Sequence, residues 1–298
     1  MRRLLPLLAC AAALAACAVG PDYRPPPTPA GAQAALVSLN PAAETVAAPP
    51  DDWWRLYNDP LLDRLIGEAF AANADLAAAE ANLSAARAVL EASRAGRYPA
   101  TATVAGAIRG RDPVTDEILE LTGRPATTIW KFDTILDVSY EVDLFGRVRR
   151  SIEASRADAE TVAAARDGLL VTVAAETARA YAQVCTLGEE VAVARRSLEV
   201  VARQANITAA RHAAGANSEF DVLRTQGLVA QVRATIPPLE GQRRAALFQL
   251  AALLGRTPSA APAEVQACVT APSLSALIPI GDGAALLKRR PDVRQADR

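Results

Sequence analysis

Apolar residues recur along this chain with two different periods, and the change of period divides it. From Leu61 to about Arg94 they return every three or four positions in an alanine-rich background, which predicts one face of a helix with a soft spot at Asn73-Ala74-Asp75. Asp59-Pro60 suits its start, because proline fits the first helical position. The period then falls to two. Ala100, Ala102, Val104, Gly106 and Ile108 alternate with Thr101, Thr103, Ala105, Ala107 and Arg109. A second stretch alternates more strictly: Trp130, Phe132, Thr134, Leu136, Val138, Tyr140, Val142 and Leu144 share one face, and Lys131, Asp133, Asp137, Ser139, Glu141 and Asp143 the other. That run of about 15 residues exceeds an ordinary strand and suffices for a tilted membrane strand of about 9–11. An aromatic apolar face backed by a charged one suits a barrel wall between lipid and water; a half-buried strand of a soluble sheet is the alternative. Residues 110–127, with Gly110, Pro113, Gly123 and Pro125, are the expected loop of the hairpin.

Gly146 turns the chain out of the strand, and helical spacing returns from about Arg147 to His212. Such a helix is roughly 100 Å long at 1.5 Å per residue. Val148, Ile152, Ala159, Val162, Leu169 and Val173, then Leu187, Val191, Leu198 and Val201, recur at threes, fours and sevens, a coiled-coil-like seam. Gly168 and Gly188 are expected to mark bends. Ala213-Ala214-Gly215-Ala216-Asn217 ends the helix, with His212 as a partner for its C-terminal dipole. Ser218 is a good N-cap for the next helix, and Asp221 a shortened capping-box acid. That helix is expected to reach about Ile236, to be interrupted by a kink or offset at Pro237-Pro238, since the pair cannot sit in an unbroken helix, and to resume to Leu254. Near the last residues, 290–296 repeat the x-x-Asp-apolar-x-x-Ala shape of 73–79, which suggests a second copy of the unit beginning.

At the other end, Arg2-Arg3 precede an apolar stretch, Leu4–Ala16, too short for a membrane span of about 20 residues and matching a secretory signal. Leu14-Ala15-Ala16-Cys17 resembles the bacterial lipobox, which makes Cys17 the lipidated first mature residue; an ordinary signal peptide with an incidental cysteine is the alternative. Ala18, where an Asp would resemble a retention signal, implies sorting to the outer membrane. The Pro-rich residues beyond read as an extended tether. Composition changes the picture in one way. The chain is 51% hydrophobic but 4% aromatic, and alanine supplies roughly a quarter of it. Alanine buries little area per residue, so helices must pack very closely or share buried surface with other chains. With 32 basic and 33 acidic residues the net charge is −1, which removes the basic surface that nucleic-acid binding needs. One His, and no Gly-x-Ser-x-Gly, His-Glu-x-x-His, phosphate-binding Gly loop or Cys-x-x-Cys, argue against an enzyme, a metal site or a cofactor. Cys185 and Cys268 form either a disulfide or two free buried thiols; spacing leaves both open.

Cys17-Ala18-Val19-Gly20-Pro21-Asp22-Tyr23, Trp53-Trp54, Tyr140-Glu141-Val142-Asp143-Leu144-Phe145-Gly146-Arg147 and Arg289-Arg290-Pro291-Asp292-Val293-Arg294 resemble, in order, the TolC-like outer membrane factors, and more narrowly the NodT-type efflux lipoproteins. The resemblance implies a mainly α fold with a membrane β-hairpin, built from two tandem helix–hairpin–helix–helix repeats and assembled as a homotrimer. In that family each protomer gives four strands to one outer-membrane β-barrel, which an α-helical barrel continues through the periplasm. Mapped here, 1–16 is the signal peptide, 17–52 the lipidated tether, 53–96 the first helical segment, 97–145 the membrane hairpin, 146–255 the long helical hairpin, 256–281 an irregular linker and 282–298 the opening of an incomplete second repeat, so a truncated chain is expected. The implied function is a passive exit duct of a tripartite efflux system for small toxic compounds or drugs. Its partners would be a periplasmic adapter, an inner-membrane pump and outer-membrane lipid. The turn between the long helices would face the adapter through Arg211, Gly215, Ser218, Glu219, Phe220, Asp221 and Arg224. Lys131, Asp133, Asp137, Glu141 and Asp143 would face the pore, either as a mildly acidic lumen or as a solvated face without selectivity. A periplasmic helical-hairpin lipoprotein acting as a structural or adapter protein is the alternative.

Overall fold

A computed structural model describes residues 19–34, 40, 42–110, 117–118, 120–123, 128–274 and 276–298. In chain order its elements are β1 (Glu44–Thr45), α1 (Pro60–Ala72), α2 (Ala74–Ala95), β2 (Ala100–Gly110), β3 (Ile129–Ser139), α3 (Arg147–Ala213), α4 (Glu219–Leu253), α5 (Ala263–Gln266), β4 (Ile278–Pro279), α6 (Gly283–Arg289) and α7 (Pro291–Asp297). Two units are distinguishable. One gathers Met1–Arg24 with Ala85–Ala159, the other Pro25–Ser84 with Glu160–Arg298.

In the larger unit α1 starts where the sequence places it. Asp59 Oδ1 accepts from the N–H groups of Leu61 and Leu62, and Pro60 fills the first helical position. Leu62, Leu65, Ile66 and Ala69 then form one buried stripe against Val173, Tyr181 and Val184 of α3 and Leu250 of α4. Each such Leu or Ile contributes about 1.5–3 kcal/mol on leaving water. Tyr181 donates to Asp59 Oδ2 at 2.7 Å, so the capping carboxylate also ties α1 to α3. Burial, with the Asp59 carboxylate beside it, pushes the Tyr181 phenol above its usual range. The soft spot resolves into a joint: Asn73 is extended between α1 and α2, and its Oδ1 accepts from Asp75 N and Leu76 N.

Several expectations are corrected in this unit. The tether is not free along its length: β1 pairs in parallel with β4, and Arg289 donates to Pro49 O and to Asp51. The linker after α4 is likewise held, with Val265 fully buried and Cys185 joined to Cys268 in a disulfide across 83 residues. Helix α4 runs unbroken through Pro237 and Pro238. Two missing N–H donors remove two ladder bonds, and 35 residues of helix supply enough others on either side to carry the chain across. α3 is continuous through Gly168 and Gly188. Gly188 instead admits the linker: a Cβ there would collide with the Cys268 carbonyl and stand 3.0 Å from Arg243 Nη2.

The smaller unit carries the hairpin. β2 and β3 pair antiparallel from Ala100↔Ser139 to Gly110↔Ile129. The second strand is shorter than its alternation suggests, ending at Ser139, because the chain before Ala100 is Tyr98-Pro99 and proline has no N–H for the ladder. Leu90, Val148, Ile152 and Ala159 form a small core where α2 and α3 meet at the hairpin's base, and Ser93 and Ser155 share a 2.8 Å hydrogen bond beside it.

Candidate functional site

Three features carry the functional expectations: the strand pair, the chain around it, and the turn between α3 and α4. Residues directly opposite in an antiparallel pair point to the same side, so register decides each face. Trp130, Phe132, Leu136 and Val138 share their face with Arg109, Ala107, Thr103 and Thr101. Lys131, Asp133, Ile135 and Asp137 share theirs with Ile108, Gly106, Val104 and Ala102. The apolar set of β2 therefore lies beside the charged set of β3, and the expected division into one apolar and one charged face is only partial. On the aromatic face, Trp130 stacks on Phe132 at 6.2 Å between centroids, and the Arg109 guanidinium sits 5.8 Å from the Trp130 ring. Lys131, Asp133 and Asp137 share one face of β3.

Glu141 and Asp143 do not belong with them, since both lie beyond the end of β3. Asp143 accepts from Val148 N and Arg149 N at 3.0 and 2.9 Å, which satisfies two orphan donors of the first turn of α3. Glu141 pairs with Arg147. Their apparent continuation of the strand pattern is a helix start in disguise. The signal that identifies it is the acid three to four residues before a helix, followed by Gly146 at φ 77°. Cys17 lies outside the described residues. Just after it, Val19 N donates to Phe145 O, and Arg150 donates to Gly20 O and Asp22 Oδ1.

The turn is built from both sides. Gly215, at φ 75°, lets Ala216 N reach Arg211 O at 2.9 Å and Gly215 N reach His212 O at 2.8 Å, closing the end of α3. On the other side Ser218 Oγ accepts from Asp221 N, while Asp221 Oδ2 accepts from Ser218 N and from its hydroxyl. This is a complete capping box. The Ser218 hydroxyl and N–H hold the Asp221 carboxyl below the usual carboxylate range. His212 is more than a dipole partner: its Nδ1 donates to Asn217 O at 2.8 Å, a staple across the turn. Arg211, Glu219, Phe220 and Arg224 are exposed, with Phe220 70% accessible. Sequence reasoning missed the groove beside them, about 590 Å³, lined by Thr208, Asn217, Asp221, Arg224, Leu228 and Gln231 among others. Only the distance between two antiparallel helices makes it, and no residue spacing announces that. Among the described residues no group of three or more His, Cys, Asp or Glu is placed to hold a metal ion, and no helix is long and apolar enough to cross a membrane.

Known proteins share this arrangement. Nodulation protein T of Rhizobium leguminosarum bv. trifolii is 26% identical over 287 residues, which cover 96% of this chain and 59% of that protein. The probable outer membrane lipoprotein SilC of Salmonella typhimurium is 28% identical over 293 residues, 95% of this chain and 59% of its own length. Among solved structures, the outer-membrane channel OprN superposes with a TM-score of 0.79 at 32% identity, covering 94% of this chain and 61% of that one. The chain thus spans about 60% of the length of the proteins it matches. Residues 65–256, from the buried face of α1 through both long helices, match the family model described as outer membrane efflux protein, and the chain belongs to that family.

Proposed function

We propose that this chain supplies part of a trimeric outer-membrane exit duct in a tripartite efflux system, carrying small toxic compounds outward without bond chemistry or an energy source of its own. The observation that carries this reading is the strand pair. Eleven residues of β2 pair with eleven of β3, and the side chains described on both are exposed or nearly so. Two strands leave two unpaired edges, which lipid does not tolerate, so the hairpin needs strands from further repeats or protomers to close a barrel. Lys131, Asp133 and Asp137 would then face the lumen, and the aromatic face the lipid. Cys17 would carry a lipid anchor, whose single attachment holds weakly without a second membrane contact. The turn at 213–218, rigid through its caps and exposed at Phe220, is suited to meet a periplasmic adapter that an inner-membrane pump loads.

Outer-membrane fractionation followed by unheated gel mobility tests the assembly. A species of about three chains that collapses on boiling is expected, since closed barrels resist dissociation; a monomer in the soluble periplasmic fraction would overturn the proposal. Ala216→Cys is expected to crosslink to the adapter in cells. Crosslinks elsewhere on the chain with none from residue 216 would remove the turn from the contact.

A further inference from the structure

The linker between α4 and β4 is seated on the helices by contacts that owe nothing to its disulfide. Val265 is fully buried in the core that Val184 and Leu187 of α3 share with Leu250 and Leu254. Glu264 pairs with Arg64 of α1, and Cys268 N donates to Val265 O, which carries this anchoring as far as the cysteine. There the half-buried Arg243 of α4 bridges two backbones. Its Nη2 donates to Gln266 O and Cys268 O, both at 2.7 Å, and its Nε donates to Val184 O at 3.3 Å. Among the described residues all three of its hydrogen bonds go to backbone carbonyls. Val184 precedes Cys185 directly, so one guanidinium grips the chain beside each sulfur. Gly188 leaves the room for this, since a Cβ there would meet the Cys268 carbonyl and stand 3.1 Å from Arg243 Cζ.

We propose that Arg243 is the positioning residue of the Cys185–Cys268 disulfide: it docks the linker before oxidation, so that the two thiols are already within reach of each other when an oxidant arrives. The cysteines are 83 residues apart in sequence. Closing that loop is the entropically costly step, and the Val265, Glu264 and Arg243 contacts complete it before any covalent bond forms. The guanidinium is a planar fork whose Nε and Nη2 cannot move independently, so bonds to Val184 O and Cys268 O fix one backbone against the other. The Cα atoms are thereby held 4.9 Å apart, a spacing that suits a disulfide. Oxidation is exchange with a disulfide-bearing oxidant. One protein thiolate attacks that oxidant, forming a mixed disulfide and releasing one oxidant thiol. The second attacks the protein sulfur of the mixed disulfide, closing the bond and releasing the other oxidant thiol. Two protein thiols are oxidised, one oxidant disulfide is reduced, and the two protons leave on the released thiols. Arg243 acts on the second, intramolecular step, whose rate follows the concentration of one sulfur at the other.

A thiol–disulfide equilibrium reads this in the full chain carrying Cys10→Ser and Cys17→Ser. The chain is equilibrated with reduced and oxidised glutathione, trapped with a maleimide and weighed by mass spectrometry, which gives the effective concentration of one thiol at the other. Arg243→Ala is expected to lower it about tenfold to a hundredfold, the worth of a hydrogen bond from a charged donor. Arg243→Lys keeps the charge without the fork and is expected to lower it several-fold. Leu83→Ala opens a cavity at a buried site of α2 outside the core that holds Val265, and so controls for lost stability. It is expected to change the effective concentration by no more than about twofold. Circular dichroism checks that each variant is folded, and if Arg243→Ala is not, Arg243→Lys decides. An effective concentration unchanged in the Arg243 variants overturns the proposal, because the linker then presents Cys268 without the guanidinium. A loss in Leu83→Ala as large as in the Arg243 variant overturns it too, because Arg243 then acts only through global stability.

Discussion

Gly188→Ala sets two known effects against each other, and their sizes decide the sign. Replacing a mid-helix glycine by alanine gains about 1 kcal/mol in helix propensity. At Gly188 the added methyl would collide with the Cys268 carbonyl and press on Arg243. Cys268 cannot withdraw, because its sulfur is bonded to Cys185 on α3 and its carbonyl accepts from Arg243 Nη2 at 2.7 Å. Overpacking a filled site costs about 1–3 kcal/mol. Losing a hydrogen bond from a charged donor costs about 1.5–3 kcal/mol. The balance is a net loss of roughly 2–4 kcal/mol, or a melting temperature lower by about 4–8 °C in a domain of this size. Gly67 on α1 is the control: nothing lies within 4 Å of a Cβ there, so Gly67→Ala is expected to raise the melting temperature by about 2 °C. Thermal unfolding followed at 222 nm, at one protein concentration, reads both. If Gly188→Ala melts at or above the parent, the close approach of the linker to α3 is refuted. In a Cys185→Ser/Cys268→Ser background the Gly188→Ala penalty should shrink, because the linker can then move aside.

The disulfide itself closes a separation of 83 residues, for which chain entropy sets a ceiling of about 4.5 kcal/mol; a loss of about 2–4 kcal/mol is expected in the Cys185→Ser/Cys268→Ser chain. Thiol counting without reductant in a Cys10→Ser/Cys17→Ser background should find no reactive thiol, and two reactive thiols there would contradict the pairing. Ser218→Ala removes the N-cap of α4 and should cost about 1 kcal/mol, read as faster amide exchange over residues 219–222. Asp221 adds a pH dependence. Its carboxyl is held below the ordinary range by Ser218, so its contribution is complete above the unfolded value of about 3.9 and disappears as the pH falls through the lower folded value. Pepsin cleavage at Phe220 should therefore rise as the pH drops from about 4 to 2 beyond the protease's own profile, while Asp221→Asn shows no such rise.

The helices and the hairpin were legible because period is a local property. Leu62, Leu65, Ile66 and Ala69 announce the buried stripe of α1, and Trp130 to Val138 announce β3, without reference to any other part of the chain. The same local logic misled at Glu141 and Asp143, where alternation continued past the last ladder pair into a helix start. The faces of the hairpin depend on register, a relation between two segments that neither one encodes alone. Pro237-Pro238 reads as a break by the local rule, yet a helix of 35 residues absorbs two missing donors. At the turn, Gly215, Ser218 and Asp221 were readable from their types and spacing. The His212–Asn217 staple and the groove along Thr208 and Leu228 were not, because they exist only once α3 and α4 lie side by side.

The likeness between 73–79 and 290–296 has a physical basis in the joints they form. Asn73 lies at φ −70°, ψ 121° between α1 and α2, and Arg290 at φ −59°, ψ 120° between α6 and α7. One extended residue interrupts two helices in both places, and an acid follows two positions later, Asp75 or Asp292, where the helix N-terminus favours negative charge. The chemistry that fixes each joint differs. Asn73 uses its side-chain oxygen to cap α2, whereas at Arg290 a proline fills the first helical position and the guanidinium pairs with Asp292. Both following helices then meet the same stretch of α3: Glu80 pairs with Arg166, Arg294 with Asp167 and Arg298 with Glu160. Helices of seven residues are too short to stand alone in water. α6 and α7 are ordered by the Asp282 cap, by Arg289 on Pro49 and Asp51, and by the β1–β4 pairing. Residues 44–51 thus clasp the segment that reproduces the first joint.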